Sequence, residues 1–210
     1  MTTVWCEQPI HRVATAIETG VVSVSEVVDS VLDRIATRDP VLNAYTTVFD
    51  ESARREADQA DRLIATGQYR GPLHGVPLSI KDLVDVAGAP TTCASRASDS
   101  SMARADARAV AHLRHAGAIV IGKCNLHEFA FGTTGEDSYF GPTLHPLDQT
   151  RSPGGSSSGS AVSVSTGMAF GSVGTDTGGS IRIPSAACGL VGLKPTFGEI
   201  SCDGVVPLAP

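Results

Sequence analysis

Residues 152–180 read SPGGSSSGSAVSVSTGMAFGSVGTDTGGS, and more than half of them are glycine or serine. A flexible Gly/Ser linker lacks apolar residues and stays solvated. Here Ala161, Val162, Val164, Met168, Ala169, Phe170 and Val173 interrupt the small residues. The pattern predicts a tight turn over 153–158, a helix of small residues to about Thr166 and a strand over 169–175. A second Gly-rich turn, TDTGGS, then leads into SIRIPSAACG. Each turn presents a serine where glycines let the backbone approach a ligand and leave amide N–H groups unpaired. On composition alone, two structural turns explain the stretch as well as two halves of a site.

The remaining chain alternates helical and strand patterns. Ile10, Val13, Ala14 and Ile17 repeat at helical spacing over 9–19, and Gly20 ends that helix. Ser23 and Glu26 form a capping-box signature for a helix to about Thr37, which Pro40 should stop. A β-type run covers 44–49, and a helix with a solvated, charged face covers 51–65. Val76 to Ile80 and 118–123 are apolar strands, with a helix over 106–116 between them. The strands near 76–80, 119–123 and 169–175 look almost wholly apolar, as central strands covered on both faces do. Helices alternating with such strands imply an α/β sheet with helices on its faces.

Composition removes several classes of function. With 41% hydrophobic and 18% charged residues, the 210-residue chain can bury a sizeable core. A net charge of −6 without a basic run gives no nucleic-acid footprint. No stretch approaches the ~18 apolar residues of a membrane span, and no apolar segment follows a basic start as in a signal peptide. Five widely spaced cysteines without a C-x-x-C pair indicate reduced thiols, and hence the cytoplasm. The six histidines form no ligand-spaced cluster, so no metal site is expected; no cofactor is expected either.

Three local features have more than one reading. Lys81 ends an apolar strand, where a lysine is costly unless it is paired or sits neutral. In isolation it reads more readily as snorkelling or salt-bridged than as catalytic. Gly117 to Cys124 fits G-x-x-x-x-G-K, but its variable residues are the strand itself rather than a turn after it, which argues against a phosphate loop. Cys124, beside Lys123 and near Glu128, is the one candidate for a cysteine nucleophile, although a small buried thiol is the commoner role.

GGSSSGSA followed by GTDTGGSIRIPSAACGLVGLKPT resembles the signature segment of the amidase signature family of serine hydrolases. The similarity extends upstream through GKCNLHEFAFGTTGEDSYFGPT and HGVPLSIKDLVDVAG, covering roughly Leu73 to the C-terminus. The fold it implies is α/β, a mixed β-sheet core flanked by helices. A helical region (1–70) would precede the N-terminal part of the catalytic core (71–210). One departure is visible: the family usually reads G-G-S-S-G-G-S, and the fifth position here is Ser158.

The resemblance also implies roles. Ser180 would be the nucleophile, Ser156 its partner on a cis peptide bond, and Lys81 the terminal base. Backbone amides of Thr177, Gly178 and Gly179, with that of Ser180, would form the oxyanion hole, helped by a helix beginning at Ser180. Ser157 would hydrogen-bond near the relay or cap the following helix, and Asp176 with Arg182 would brace the nucleophile turn. The implied activity is hydrolysis of a small-molecule carboxamide through an acyl-enzyme, with no nucleic acid or membrane engaged directly. The alternative chemistry is that of the A subunit of a glutamyl-tRNA amidotransferase, which hydrolyses glutamine and passes ammonia to a partner protein. Family members run to more than twice this length, so the resemblance implies an N-terminal portion, truncated after the signature. An inactive fragment is the third reading, and for a longer chain a homodimer stays open.

Overall fold

The computed structural model describes residues 3–99 and 101–208, so the outer limits of the two regions expected above lie outside the described residues. The elements are α1 (Ile10–Glu18), α2 (Val24–Leu42), β1 (Tyr45–Val48), α3 (Asp50–Ala65), β2 (Pro77–Lys81), α4 (Arg108–His115), β3 (Ile119–Cys124), α5 (Ser158–Ser165), β4 (Gly171–Val173) and α6 (Arg182–Ala187). Single turns of 3-10 helix occupy Trp5–Glu7 and Glu128–Ala130. The capping box closes as expected: Ser23 Oγ accepts from the Glu26 amide at 3.1 Å, and Glu26 accepts from the Ser23 amide at 2.9 Å.

Pro40 does not stop α2, which continues to Leu42. Proline has no N–H for the carbonyl four residues earlier, but Ala36 and Pro40 are both exposed, so water can serve that carbonyl. One more turn buries Leu42 and lets Asn43, in the left-handed region at φ 53°, close the helix onto Asp39.

The sheet is mixed, with order β1-β3-β2-β4; β1 runs antiparallel to β3, whereas β2 is parallel to both β3 and β4. Every residue of β2 and β3 is buried. One face of β3 sends Ile119 and Ile121 into a core with Val13, Val27, Val31, Ala57 and Val162. The other sends Val120 against Ile80, Leu83, Val86, Val110 and Leu126. Cover on both faces explains the unbroken apolar run. The expectation fails for β4, which is three residues long, half-exposed and at the sheet edge.

Small residues in α5 have a steric cause. A Cβ on Gly159 would stand 2.2 Å from the Ala44 carbonyl oxygen and 2.7 Å from the Asn125 amide nitrogen, both backbone atoms that cannot move aside. The helix therefore lies directly on the chain connecting the strands, with Ser163 Oγ hydrogen-bonded across to Ser79 Oγ at 3.0 Å. Ser158, the departure from the family pattern, is the first residue of α5, is fully buried and is not at positive φ. Serine is thus unstrained there.

Two outcomes are expected. Gly159→Ala should lower the urea midpoint by an amount equivalent to about 1–3 kcal/mol or abolish soluble expression; an unchanged midpoint would show that α5 can lift. Phe131, Leu147, Val191, Leu193 and Phe197 are more than three-quarters exposed, and apolar side chains so exposed offer contacts to a hydrophobic dye. The 210-residue chain alone should therefore bind ANS, whereas a sharp thermal transition without dye binding contradicts this.

Candidate active site

Lys81 is the last residue of β2, and its side chain is fully buried. Its Nζ stands 2.7 Å from Ser156 Oγ and donates to Thr175 Oγ1 at 2.9 Å. Among the described residues no ion pair includes Lys81. Burial disfavours the charged ammonium, and the more distant Asp176 and Cys93 only partly offset it; the amine is pushed down from 10.5 to about 7. Near neutral pH a large fraction of it is therefore uncharged, with a lone pair beside a serine hydroxyl.

Ser156 is completely buried and follows a cis Gly155–Ser156 peptide bond. Its carbonyl accepts from the His127 amide at 3.1 Å, tying the turn to the loop after β3. Ser157 occupies the position before α5, yet its hydroxyl makes no cap. It donates instead to the Thr175 carbonyl at 3.3 Å. Thr175 therefore meets Lys81 through its hydroxyl and Ser157 through its carbonyl. Nothing local in the sequence marks Thr175, and it was not among the expected site residues. The parallel pairing of Ile80 with Val173 brings it there.

The Ser180 turn lies against the Ser156 turn, with the Ser157 amide donating to the Ser180 carbonyl at 3.2 Å. Among the described residues no hydrogen bond joins the Ser180 and Ser156 hydroxyls. Asp176 and Arg182 brace the turn as expected: Nε and Nη2 of Arg182 donate to the two carboxylate oxygens at 2.9 and 2.8 Å. The carboxylate also accepts from the amides of Gly179 at 2.8 Å, Ile181 at 3.2 Å and Arg182 at 3.3 Å. The Arg182 guanidinium, aided by these amides against the effect of burial, holds Asp176 well below the usual carboxylate range.

Two expectations change here. The Gly179 amide belongs to Asp176 and is not free for an oxyanion, whereas those of Thr177, Gly178 and Ser180 have no acceptor among the described residues. The helix begins at Arg182 rather than Ser180 and has only six residues. Cys124 is fully buried and donates to Ser163 Oγ, and burial pushes its thiol up to about 11, the opposite of a reactive thiolate. The G-x-x-x-x-G-K stretch is strand β3, and no long helix follows it.

A family model described as Amidase matches residues 26–210. Among curated relatives, the A subunit of the glutamyl-tRNA(Gln) amidotransferase of Prochlorococcus marinus (strain NATL2A) is 46% identical over 193 residues, or 92% of this chain and 40% of the relative. Among solved structures, the peptide amidase of Stenotrophomonas maltophilia superposes with a TM-score of 0.92 at 38% identity, covering 98% of this chain and 43% of that one. A fatty acid amide hydrolase superposes with a TM-score of 0.92 at 27% identity, covering 96% and 36%. The chain spans about 40% of the length of the curated relatives it matches. Among the described residues no helix is long and apolar enough to cross a membrane.

Lys81 has a measurable cost. A tenfold change in proton affinity is about 1.4 kcal/mol, so the fall from 10.5 to about 7 withholds on the order of 5 kcal/mol of stability below pH 7. Between those values the unfolded chain binds the extra proton, so stability rises with pH across that window. Lys81→Met removes the cost and also two hydrogen bonds of about 1 kcal/mol each. In a full-length chain it should gain about 3 kcal/mol at pH 6 and lose about 2 kcal/mol at pH 11. Urea melts at both pH values check this, and a variant less stable at pH 6 refutes it.

Proposed function

Because the chain belongs to the Amidase family, we propose that it carries the reacting half of an enzyme that hydrolyses amide C–N bonds through an acyl-enzyme. The observation that carries this reading is the buried Lys81 amine, depressed to about 7 and 2.7 Å from Ser156 Oγ. Neutral Lys81 takes the proton of Ser156, and Ser156 takes that of Ser180 as Ser180 Oγ attacks the carbonyl carbon. Reversing the relay protonates the departing amine, and water then cleaves the ester. The link between Ser180 and Ser156 closes when substrate orders the nucleophile, as catalytic hydrogen bonds commonly tighten only in the complex.

The developing oxyanion is received by the open amides of Thr177, Gly178 and Ser180, with Gly179 left to hold Asp176. Arg182 and Asp176 keep that turn rigid. Ser157 and Thr175 keep Lys81 aimed at Ser156. A small-molecule amide is the substrate class. Identity of 46% to the A subunit of a glutamyl-tRNA(Gln) amidotransferase, against 38% to a peptide amidase, favours glutamine as the first amide to test and an amidotransferase partner as the second reading.

In a full-length chain containing this sequence, Ser180→Ala should abolish covalent labelling by a fluorophosphonate probe; labelling that persists moves the nucleophile elsewhere. A base depressed to about 7 gives a rate that is full above that pH and lost as pH falls through it. Lys81→Ala should remove this acid limb together with most of the rate. An unchanged profile excludes Lys81 as the base. Glutamine hydrolysis measured beside a panel of simple carboxamides decides between the two substrate readings.

A further inference from the structure

Two lysines are fully buried in this sheet, on neighbouring strands, and only one has a place in the proposed relay. Lys123, on β3, pairs in register with Ile80, and Cys124 pairs with Lys81. Strict alternation from Ile119 would put position 123 on the α5 face, where Ser79 and Lys81 point. A register shift between Leu78 and Ser79, opposite Val120 and Gly122, resets the alternation. Cys124 then meets Ser163 on the α5 face, and Lys123 turns to the opposite face. Gly122 fits this bulge because a Cβ there would lie 2.4 Å from the Thr47 carbonyl oxygen.

On that face Lys123 is saturated. It forms an ion pair with Asp82 Oδ1 at 2.8 Å and donates to the Pro90 carbonyl and Thr91 Oγ1, both at 2.9 Å. Asp82 is equally committed: its Oδ2 accepts from Thr46 Oγ1 at 2.9 Å and Thr92 Oγ1 at 2.5 Å, and its Oδ1 accepts from the Thr92 amide at 3.3 Å. Asp82 is the residue directly after Lys81 and is also buried. An uncompensated carboxylate there would attract the neighbouring amine in a medium that screens little.

We propose that Lys123 is a positioning residue for Lys81: its ammonium occupies the Asp82 carboxylate across the sheet, so the Lys81 amine stays unpaired and directed at Ser156. This rests on the proposed role of Lys81. The other groups facing Lys81 do not replace Lys123. Asp176, in the loop after β4, is held by Arg182, and Cys93, in the loop after β2, is buried with its thiol pushed up to about 11. Cys124, beside Lys81 on β3, is a neutral thiol by the same cause. Asp85 accepts from Thr91, which in turn accepts from Lys123. Removing Lys123 would therefore leave Asp82, the next residue in the chain, as an added uncompensated anion, and an added anion raises a lysine's pKa.

The test is the pH dependence of the fluorophosphonate labelling rate in a full-length chain. Lys123→Met should shift the acid limb up by about one pH unit, and Lys123→Met with Asp82→Asn, neutral at both positions, should return it to the wild-type position. A purely structural role would lower rates without moving the limb, or would leave the double variant shifted like the single one; either result overturns the proposal. If Lys123→Met does not fold, Lys123→Gln, which keeps hydrogen-bond donors but no charge, takes its place: a raised limb supports the proposal and an unmoved limb overturns it. Failure of both variants to fold makes the pair a brace of the fold alone and also overturns it. A limb that survives Lys81→Ala instead refutes the relay, whereas a limb lost in Lys81→Ala but unmoved in Lys123→Met refutes only the role of Lys123.

Discussion

The structure turns on a lysine amine held away from water and from direct contact with a carboxylate, so that its charged form is disfavoured. Removing an ammonium from water costs several kcal/mol unless an anion accompanies it. At Lys81 the chain supplies two hydroxyls instead, those of Ser156 and Thr175. Burial disfavours the ammonium and no carboxylate touches it, so the environment favours the uncharged form. That selection requires complete exclusion of solvent at the end of β2. The exclusion comes from α5, the Ser156 turn and the loop after β4, all drawn from the Gly/Ser-rich stretch.

Close approach explains why that stretch is so poor in large side chains. Gly159 touches the backbone at Ala44 and Asn125, and Ser158, Ser160 and Ser163 of the same helix are buried. Buried hydroxyls still need partners. Ser163 finds Ser79, Cys124 and the Ser160 carbonyl, and Thr143 meets Ser158. Small size admits the close packing, and Ser163 links α5 to β2 through its hydrogen bond to Ser79. The same property that makes the segment look like a linker makes it a dense wall behind the base.

Much of this was legible in the sequence, for physical reasons specific to each element. The capping box at Ser23 and Glu26, the apolar strands ending near Lys81 and Lys123 and the two Gly-rich turns are local patterns, and local patterns survive folding. The misses concern partners far apart in sequence. Pro40 reads as a stop because the burial of Leu42 and the turn at Asn43 are invisible one residue at a time. Thr175 is unremarkable until parallel pairing with β2 sets it beside Lys81. The Gly179 amide looks free until Asp176 is seen to accept it, an arrangement that depends on the fold of the whole turn.

The two buried lysines show why residue type and burial together do not decide a role. Both end strands of the same sheet, and both are fully enclosed. Lys123 meets a carboxylate, a carbonyl and a hydroxyl, so each of its three N–H groups has an acceptor and its charge has a counterion. Lys81 meets hydroxyls and has no adjacent counterion, so its amine keeps a lone pair that can accept a proton. The difference arises from one irregularity, the bulge at Gly122, which sends Lys123 to the far face of the sheet. Had β3 run regularly, both side chains would share the α5 face, and each would face a like charge in place of Asp82. An amine that is neutral beside Ser156 and an ammonium that is charged beside Asp82 can coexist on adjacent strands only because the sheet lies between them.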